Sequence, residues 1–367
     1  MIIFDTCILR GCGLESSSAD LLRAIRESGV GVAAPWMVVE ELAGQQVAKY
    51  LKQHDAAAQA LGSLRSVTPW QMEPVLEACA PEEVRGYWRK KYADFVGTIP
   101  TSEAALREAM RREISGLPPA KAEKQGKTGG RDAAIWLSAV EYARNNPEET
   151  VYFVSSNTKD FGDGTVYEYP MFEDVEELGD RFALLTSLDQ VVERFTREVQ
   201  VDPEAVKAAV LAKGSERALG RQIHDLLADS AQAGFEASLF DATGGERSWT
   251  WLRNWKFAPF VQVESIEDIK AYAIGDEIWS TATAQVTTAG LNMALGASGT
   301  IACSMQVPLL IGLQHDRAPV ALRIKAAGPL DAADGARAVE MARNQVRALT
   351  EIERRLLLHP WERELPS

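Results

Sequence analysis

Short apolar runs and amphipathic helical stretches alternate through the first two hundred residues of the chain. MIIFD reads as a strand, and SADLLRAIRESG as a helix with Leu21, Leu22 and Ile25 on one face and Gly29 at its stop. GVAAPWMVVEELAGQQVAKYL supplies a short strand, then a helix entered near Pro35 and running past Leu51. Further on, DAAIWLSAVEYARNN is helical, VYFVSS is a buried strand, and FALLTSLDQVVERF is a last strand and helix. Strands separated by helices pair in parallel, because a parallel partner can be reached only by a crossover. The region 1–200 is therefore expected to be an α/β domain, a parallel sheet flanked by helices. Between its first and last strands, about 55–128, lies a helical insertion punctuated by Pro69, Pro74, Pro81 and Pro100.

After Gln200 the pattern changes. The stretch DPEAVKAAVLAKGSERALGRQIHDLLADSAQAGF reads as helix, with Pro203 at a permitted first-turn position. Strands of period two follow: Ile301, Cys303, Met305, Val307 and Leu309 share one face, and Val320, Leu322, Ile324 and Ala326 alternate with Arg323 and Lys325. Such alternation predicts an antiparallel sheet with one wet face. A closing helix carries the stripe Val339, Ala342, Val346, Leu349, Ile352 and Leu356, which suits burial in its own domain or pairing with a second copy. Residues 201–367 thus read as an α+β domain with an assembly or regulatory role, through a regulatory protein partner or a homo-oligomer.

No run approaches the twenty apolar residues of a membrane span, and no basic and apolar leader precedes the first strand. A cytoplasmic protein without membrane contact is expected. The four cysteines show no CxxC spacing and the four histidines are scattered, so any metal must be held by oxygen. The net charge of −13 argues against broad phosphate contact. Locally the balance reverses: between Arg85 and Arg131 stand eleven Lys/Arg against five Asp/Glu.

Asp5 ends the first strand, Glu41 lies in the early turns of the helix after the second, Asp132 opens the helix after the basic loop, and Asp160 follows VYFVSS. In an open parallel sheet the ligand site lies beyond the carboxyl ends of the strands. Carboxylates gathered there repel one another unless a cation neutralises them. Magnesium or manganese does so with oxygen ligands while keeping waters free for chemistry.

DTCIL, VVEEL, GGRDAAIWLSA and SSNTKDF, in that order, resemble the four acidic motifs of the PIN-domain nucleases, over about residues 1–195. The resemblance implies a PIN-like fold in which Asp5, Glu41, Asp132 and Asp160 are catalytic metal ligands for Mg2+ or Mn2+, with Asn157 in support. It also implies hydrolysis of a phosphodiester in nucleic acid, RNA rather than DNA, by an endoribonuclease acting on single strands. Cys7 departs from the family, which commonly has Asn there, and the neighbouring Glu40 competes with Glu41 for the second motif.

Rival readings stand beside these. A non-catalytic nucleic-acid-binding scaffold could keep the fold without turnover, and a structure-specific DNA nuclease could use the insertion as an arch. Asp132 could be a helix cap, Asn157 an Asx turn, and Asp163 a plain turn residue. The position two after Asp5 is Cys7, which argues against haloacid-dehalogenase chemistry, and neither GxxxxGK[ST] nor a helix-opening GxGxxG occurs. Lys121, Lys124, Lys127 and Arg131 arrive in a flexible loop just before Asp132 and are expected to contact substrate phosphate. Arg107, Arg111 and Arg112 read as a solvated helix face. The aromatics Trp70, Tyr87, Trp88 and Tyr92 suit either a cover over the cleft or a small bundle of their own. Those of RSWTWLRNWKF suit a sheet core or interface better than base stacking.

Overall fold

The computed structural model describes residues 1–71, 76–123, 126–229, 235–241, 243–251, 258–292, 299–314 and 318–344. The chain divides into two compact units, Met1–Thr196 and Arg197–Ser367.

In the first unit, β1 (Ile2–Phe4) ends at Asp5, whose carboxylate caps α1 (Thr6–Cys12) by accepting from the Thr6 amide. Ser16 caps α2 (Ser17–Glu27) in the same way, and the chain turns through Gly29 into β2 (Val32–Pro35). From there α3 (Trp36–Val67) runs as one helix of 32 residues. Its buried residues, Val38, Val39, Leu42, Ala43 and Val47, all lie in its first half. The sequence-based insertion therefore begins as a continuation of that helix. It goes on through α4 (Pro81–Val96) and α5 (Glu103–Ser115), and between them holds β3 (Thr98–Ile99), which no periodicity announced.

The expected flexible loop contains an antiparallel hairpin, β4 (Lys121–Glu123) with β5 (Gly126–Thr128). Next come α6 (Gly130–Asn145), β6 (Val151–Val154), the short helices α7 (Thr158–Phe161) and α8 (Met171–Val175), β7 (Phe182–Leu185) and α9 (Leu188–Phe195). The five-stranded sheet has the order β3-β2-β1-β6-β7, and every pairing is parallel. From β1 the chain first builds outward on one side and then returns to build on the other. The strand order thus reverses between β1 and β6, the place where such sheets open a crevice for ligands.

Trp136 of α6 is fully buried, with the rings of Phe153, Phe161 and Phe182 around it. Its indole N–H donates to Asp174 at 2.8 Å. Asp174 also receives both guanidinium nitrogens of Arg112, at 2.8 and 2.7 Å. Arg112 is buried, so it is not the solvated residue its neighbours suggest; Arg107 and Arg111 are exposed and paired with Glu103 and Glu108. A charge this deep is tolerable because Asp174 meets it with two hydrogen bonds and Glu108 with a third, from the Arg112 Nε at 3.0 Å.

The second unit opens with β8 (Arg197–Val199) and two helices, α10 (Pro203–Val210) and α11 (Ser215–Asp229). It continues with β9 (Glu236–Phe240), β10 (Glu246–Trp251), β11 (Phe260–Ile274), β12 (Glu277–Asn292), β13 (Gly299–Gly312), β14 (Val320–Ala321) and β15 (Ala326–Pro329). The sheet is antiparallel throughout. Ile301, Cys303, Met305, Val307 and Leu309 face one core with Val206, Val210, Leu219 and Ile223 of the helices. The alternation read over 320–326 is broken, however: β14 and β15 are separate strands on β13, and 322–325 belongs to neither. Ala338, Val339 and Met341, in a helix spanning 335–344, pack with Phe240, Ala302 and Leu330 in a second core. The rest of the closing stripe, from Val346, lies outside the described residues, as do Arg253, Trp255 and Lys256.

Candidate active site

Asp5 is buried at the carboxyl end of the central strand and is held from three directions. One oxygen accepts from the Thr6 amide at 2.6 Å. The other accepts from the Ser155 hydroxyl at 2.6 Å and the Cys7 thiol at 3.0 Å. The thiol is itself met by the Ser156 amide and hydroxyl, at 3.3 and 3.1 Å, so Cys7 links the loop after β6 to Asp5. Burial first, and the charge of Asp5 second, raise the thiol's pKa and keep it a donor.

Two adjacent acids on α3 point to different neighbours. Glu40 pairs with Arg89 of α4 at 2.6 Å. Glu41 accepts from the Thr6 hydroxyl at 2.9 Å, from Arg131 at 3.1 Å and from Gln45 at 3.4 Å. Glu41, not Glu40, therefore lies beside the cap of α1.

Asp132 is the third residue of α6; the N-cap is Gly129, so Asp132 does not serve as the cap. Its carboxyl pKa is pushed up to about 6, first by burial and then by the charges of Asp5, Asp160 and Glu41, against a lowering by Arg131. That pattern brings all four acids into one electrostatic neighbourhood. Asp160, in α7, accepts from the side-chain amide of Asn157 at 2.7 Å and pairs with Lys121 at 2.9 Å. Asn157 thus orients Asp160 and makes no side-chain cap to its own helix. Asp163 accepts from the amide and hydroxyl of Thr165, a turn residue as expected.

Residues 2–161 match the family model of the PIN domain. The N-terminal unit is a PIN domain. The match runs from β1 to one residue past Asp160 and so spans all four acids. No curated protein and no solved structure matches the chain. A PIN domain is a nuclease-like fold, generally dependent on a divalent metal and directed at nucleic acid. Among the described residues of the whole chain, no helix is long and apolar enough to cross a membrane.

The side chains of this PIN domain suit a hard cation in kind, since each acid offers carboxylate oxygen. Asp132 accepts no hydrogen bond from a described residue, and a divalent ion would relieve the repulsion that raises its pKa. Among the described residues no three His, Cys, Asp or Glu side chains are gathered tightly enough to hold an ion as they stand. Instead, chain cations engage two of the acids, Lys121 on Asp160 and Arg131 on Glu41.

Of the basic loop residues, Lys121 and Arg131 thus reach the cluster, whereas Lys124 and the side chain of Lys127 lie outside the described residues. The insertion's aromatics pack among themselves: Tyr92 is buried and takes a hydrogen bond from Gln46, Trp88 lies 5.7 Å from its ring, and Lys91 sits over Tyr87 and Trp88. Trp70 is exposed. Sequence reading missed Thr6 and Ser155, the hydroxyls that hold Glu41 and Asp5. The signal available for both was adjacency, since each borders a strand end beside an acidic motif.

Proposed function

We propose that the chain is a Mg2+- or Mn2+-dependent endoribonuclease that cuts single-stranded RNA through Asp5, Glu41, Asp132 and Asp160. The observation that supports this most directly is the convergence of four acids, carried on four separate elements, at the reversal point of the parallel sheet. The choice of RNA over DNA, and of one cation over another, rests on the resemblance to the family.

A divalent ion bound there supplies phosphate polarisation and a hydroxide at neutral pH. The protein's share is positional. Thr6, Cys7 and Ser155 fix Asp5 by three hydrogen bonds, Thr6 and Gln45 aim Glu41, and Asn157 aims Asp160. Asp132 enters at the first turn of a helix anchored one turn later by buried Trp136, which limits how far its carboxylate can stray. The second unit is assigned an assembly or regulatory role, and the protein a cytoplasmic location.

The test is cleavage of end-labelled single-stranded RNA, single-stranded DNA and a DNA flap in manganese, with an EDTA control and an Asp132→Asn variant. RNA cleavage that needs both metal and Asp132 is expected. Unchanged cleavage by the variant would sink the assignment of Asp132, whereas intact substrates throughout would transfer the protein to the non-catalytic reading, which the Lys121 and Arg131 ion pairs favour. Cleavage of the flap alone would make it a DNA nuclease.

A further inference from the structure

We infer that Lys121 and Arg131 are exchangeable counter-ions, each holding one carboxylate of the acidic cluster and moving to substrate phosphate when a divalent cation takes that carboxylate. This rests on the proposal that the four acids bind metal.

The two cations come from opposite ends of one short segment, the hairpin strand β4 and the first turn of α6. They end on acids from distant parts of the chain. Lys121 reaches Asp160 at 2.9 Å and also donates to the carbonyl of Lys159. Arg131 reaches Glu41 at 3.1 Å. Their main chains are fixed. Lys121 pairs in register with Thr128, and its neighbour Ala120 is fully buried against Gly129. Gly129 has φ of +108°, and a Cβ there would lie 2.7 Å from the Ala120 Cα. Only glycine permits that approach in that conformation.

The side chains, in contrast, are 42% and 68% exposed for Lys121 and Arg131. Any exchange is therefore a rotation of side chains on an unmoving backbone. Lys121 and Arg131 each offer a single charge to a carboxylate of the cluster, so a divalent ion competes with them for Asp160 and Glu41 with twice the charge. Once the ion engages Asp160 and Glu41, the ammonium and guanidinium lose the charges that hold them. A phosphodiester brought to the same edge is then the nearest anion without a partner, and Arg131 can meet two of its oxygens at once.

This arrangement makes one substitution act with opposite signs on two ligands. Removing the Lys121 charge takes away a competitor for Asp160, so metal binds more tightly; it also removes a phosphate contact, so RNA binds more weakly. A purely structural ion pair would weaken metal binding when broken. A purely substrate-facing lysine would leave metal binding alone.

The experiment uses the full chain with Lys121→Met and, separately, Arg131→Met, which keep the aliphatic stems. Calorimetric Mn2+ titration is expected to show about threefold to fivefold tighter binding in each variant, the range of a partly exposed ion pair. Binding of a phosphorothioate single-stranded RNA is then followed against salt, in Mn2+ and in EDTA. The slope of log K against log salt should fall by about 0.7 in Mn2+ and remain that of the wild type in EDTA. Metal binding that is unchanged or weaker in both variants overturns the inference while leaving the nuclease assignment standing. A slope that falls equally in EDTA also overturns it. Failure of the wild-type chain to bind Mn2+ removes both.

Discussion

The hydroxyl of Ser155 donates to Asp5 at 2.6 Å across 150 positions of sequence. That bond closes the seam between β1 and β6, because Asp5 is also joined to β6 through its own amide, at 3.0 Å from the Val154 carbonyl. The carboxylate is therefore aimed by the strand beside it as well as by the helix it caps. Loss of a bond that orients a metal-binding carboxylate typically costs about 10- to 100-fold in affinity. Ser155→Ala is expected to weaken Mn2+ binding by that factor with the fold intact, since Thr6 and Cys7 still donate. Calorimetry checks this, and an affinity within twofold of the wild type contradicts it.

Asp132, a metal ligand in the proposed function, carries a charge that costs stability. Its pKa is raised from 3.8 to about 6 on folding, so its stabilising contribution is complete below pH 3.8 and is lost as pH rises through 6. Above pH 6 the ionised group opposes the fold. Asp132→Asn should therefore raise the melting temperature of the N-terminal unit by about 2–6 °C at pH 7.5 and change it little at pH 4. Added Mn2+ should stabilise the wild type and do much less for the variant. Calorimetric scans at both pH values decide it; a lower melting temperature for the variant at pH 7.5 would falsify the sign.

The buried Arg112–Asp174 pair predicts an asymmetric pair of mutants. Asp174→Asn takes the doubly hydrogen-bonded counter-charge from a buried guanidinium and leaves it only Glu108, at 3.0 Å, and such a break costs up to about 3–5 kcal/mol. Adding Arg112→Met in the same chain should recover much of the loss, because the buried charge that has lost its main partner is gone. Urea unfolding of the single and double variants gives both numbers, and a double variant no more stable than the single one counts against the argument.

Glycine substitutions separate a strained turn from an open helix. Gly129→Ala places a side chain at φ of +108° and against the Ala120 backbone, so it should destabilise the hairpin and lower activity. Gly62 lies in the exposed half of α3, where an added Cβ would meet nothing within 4 Å. Gly62→Ala should stabilise by about 0.5–1 kcal/mol. Thermal melts of the two variants must move in opposite directions.

The sheet and its acids were legible in the sequence because each acid follows an apolar run or opens a helix, and the motifs occur in order. What surrounds the acids was not. Thr6, Cys7 and Ser155 belong to no periodic pattern, and their partners are met only when β1 and β6 lie side by side. β3 has two residues, too few for any period to register. The β4–β5 hairpin, KAE and GKT, lacks alternating apolar residues and so reads as loop. Arg112 looked solvated because the acid that buries it stands 62 positions away. Val320 to Ala326 alternates convincingly, yet the chain leaves the strand midway, where Ile324 turns into the helix-backed core.

The order of strands also has a consequence for how the protein comes into being. β1, which carries Asp5, leaves the ribosome well before its neighbour β6 and the last acid, Asp160, which follow about 150 residues later. Until then Asp5 lacks Ser155, and the cluster lacks its fourth member. A chain still in translation therefore holds an unfinished acidic cluster, and the final carboxylate arrives only when most of the N-terminal unit has been made.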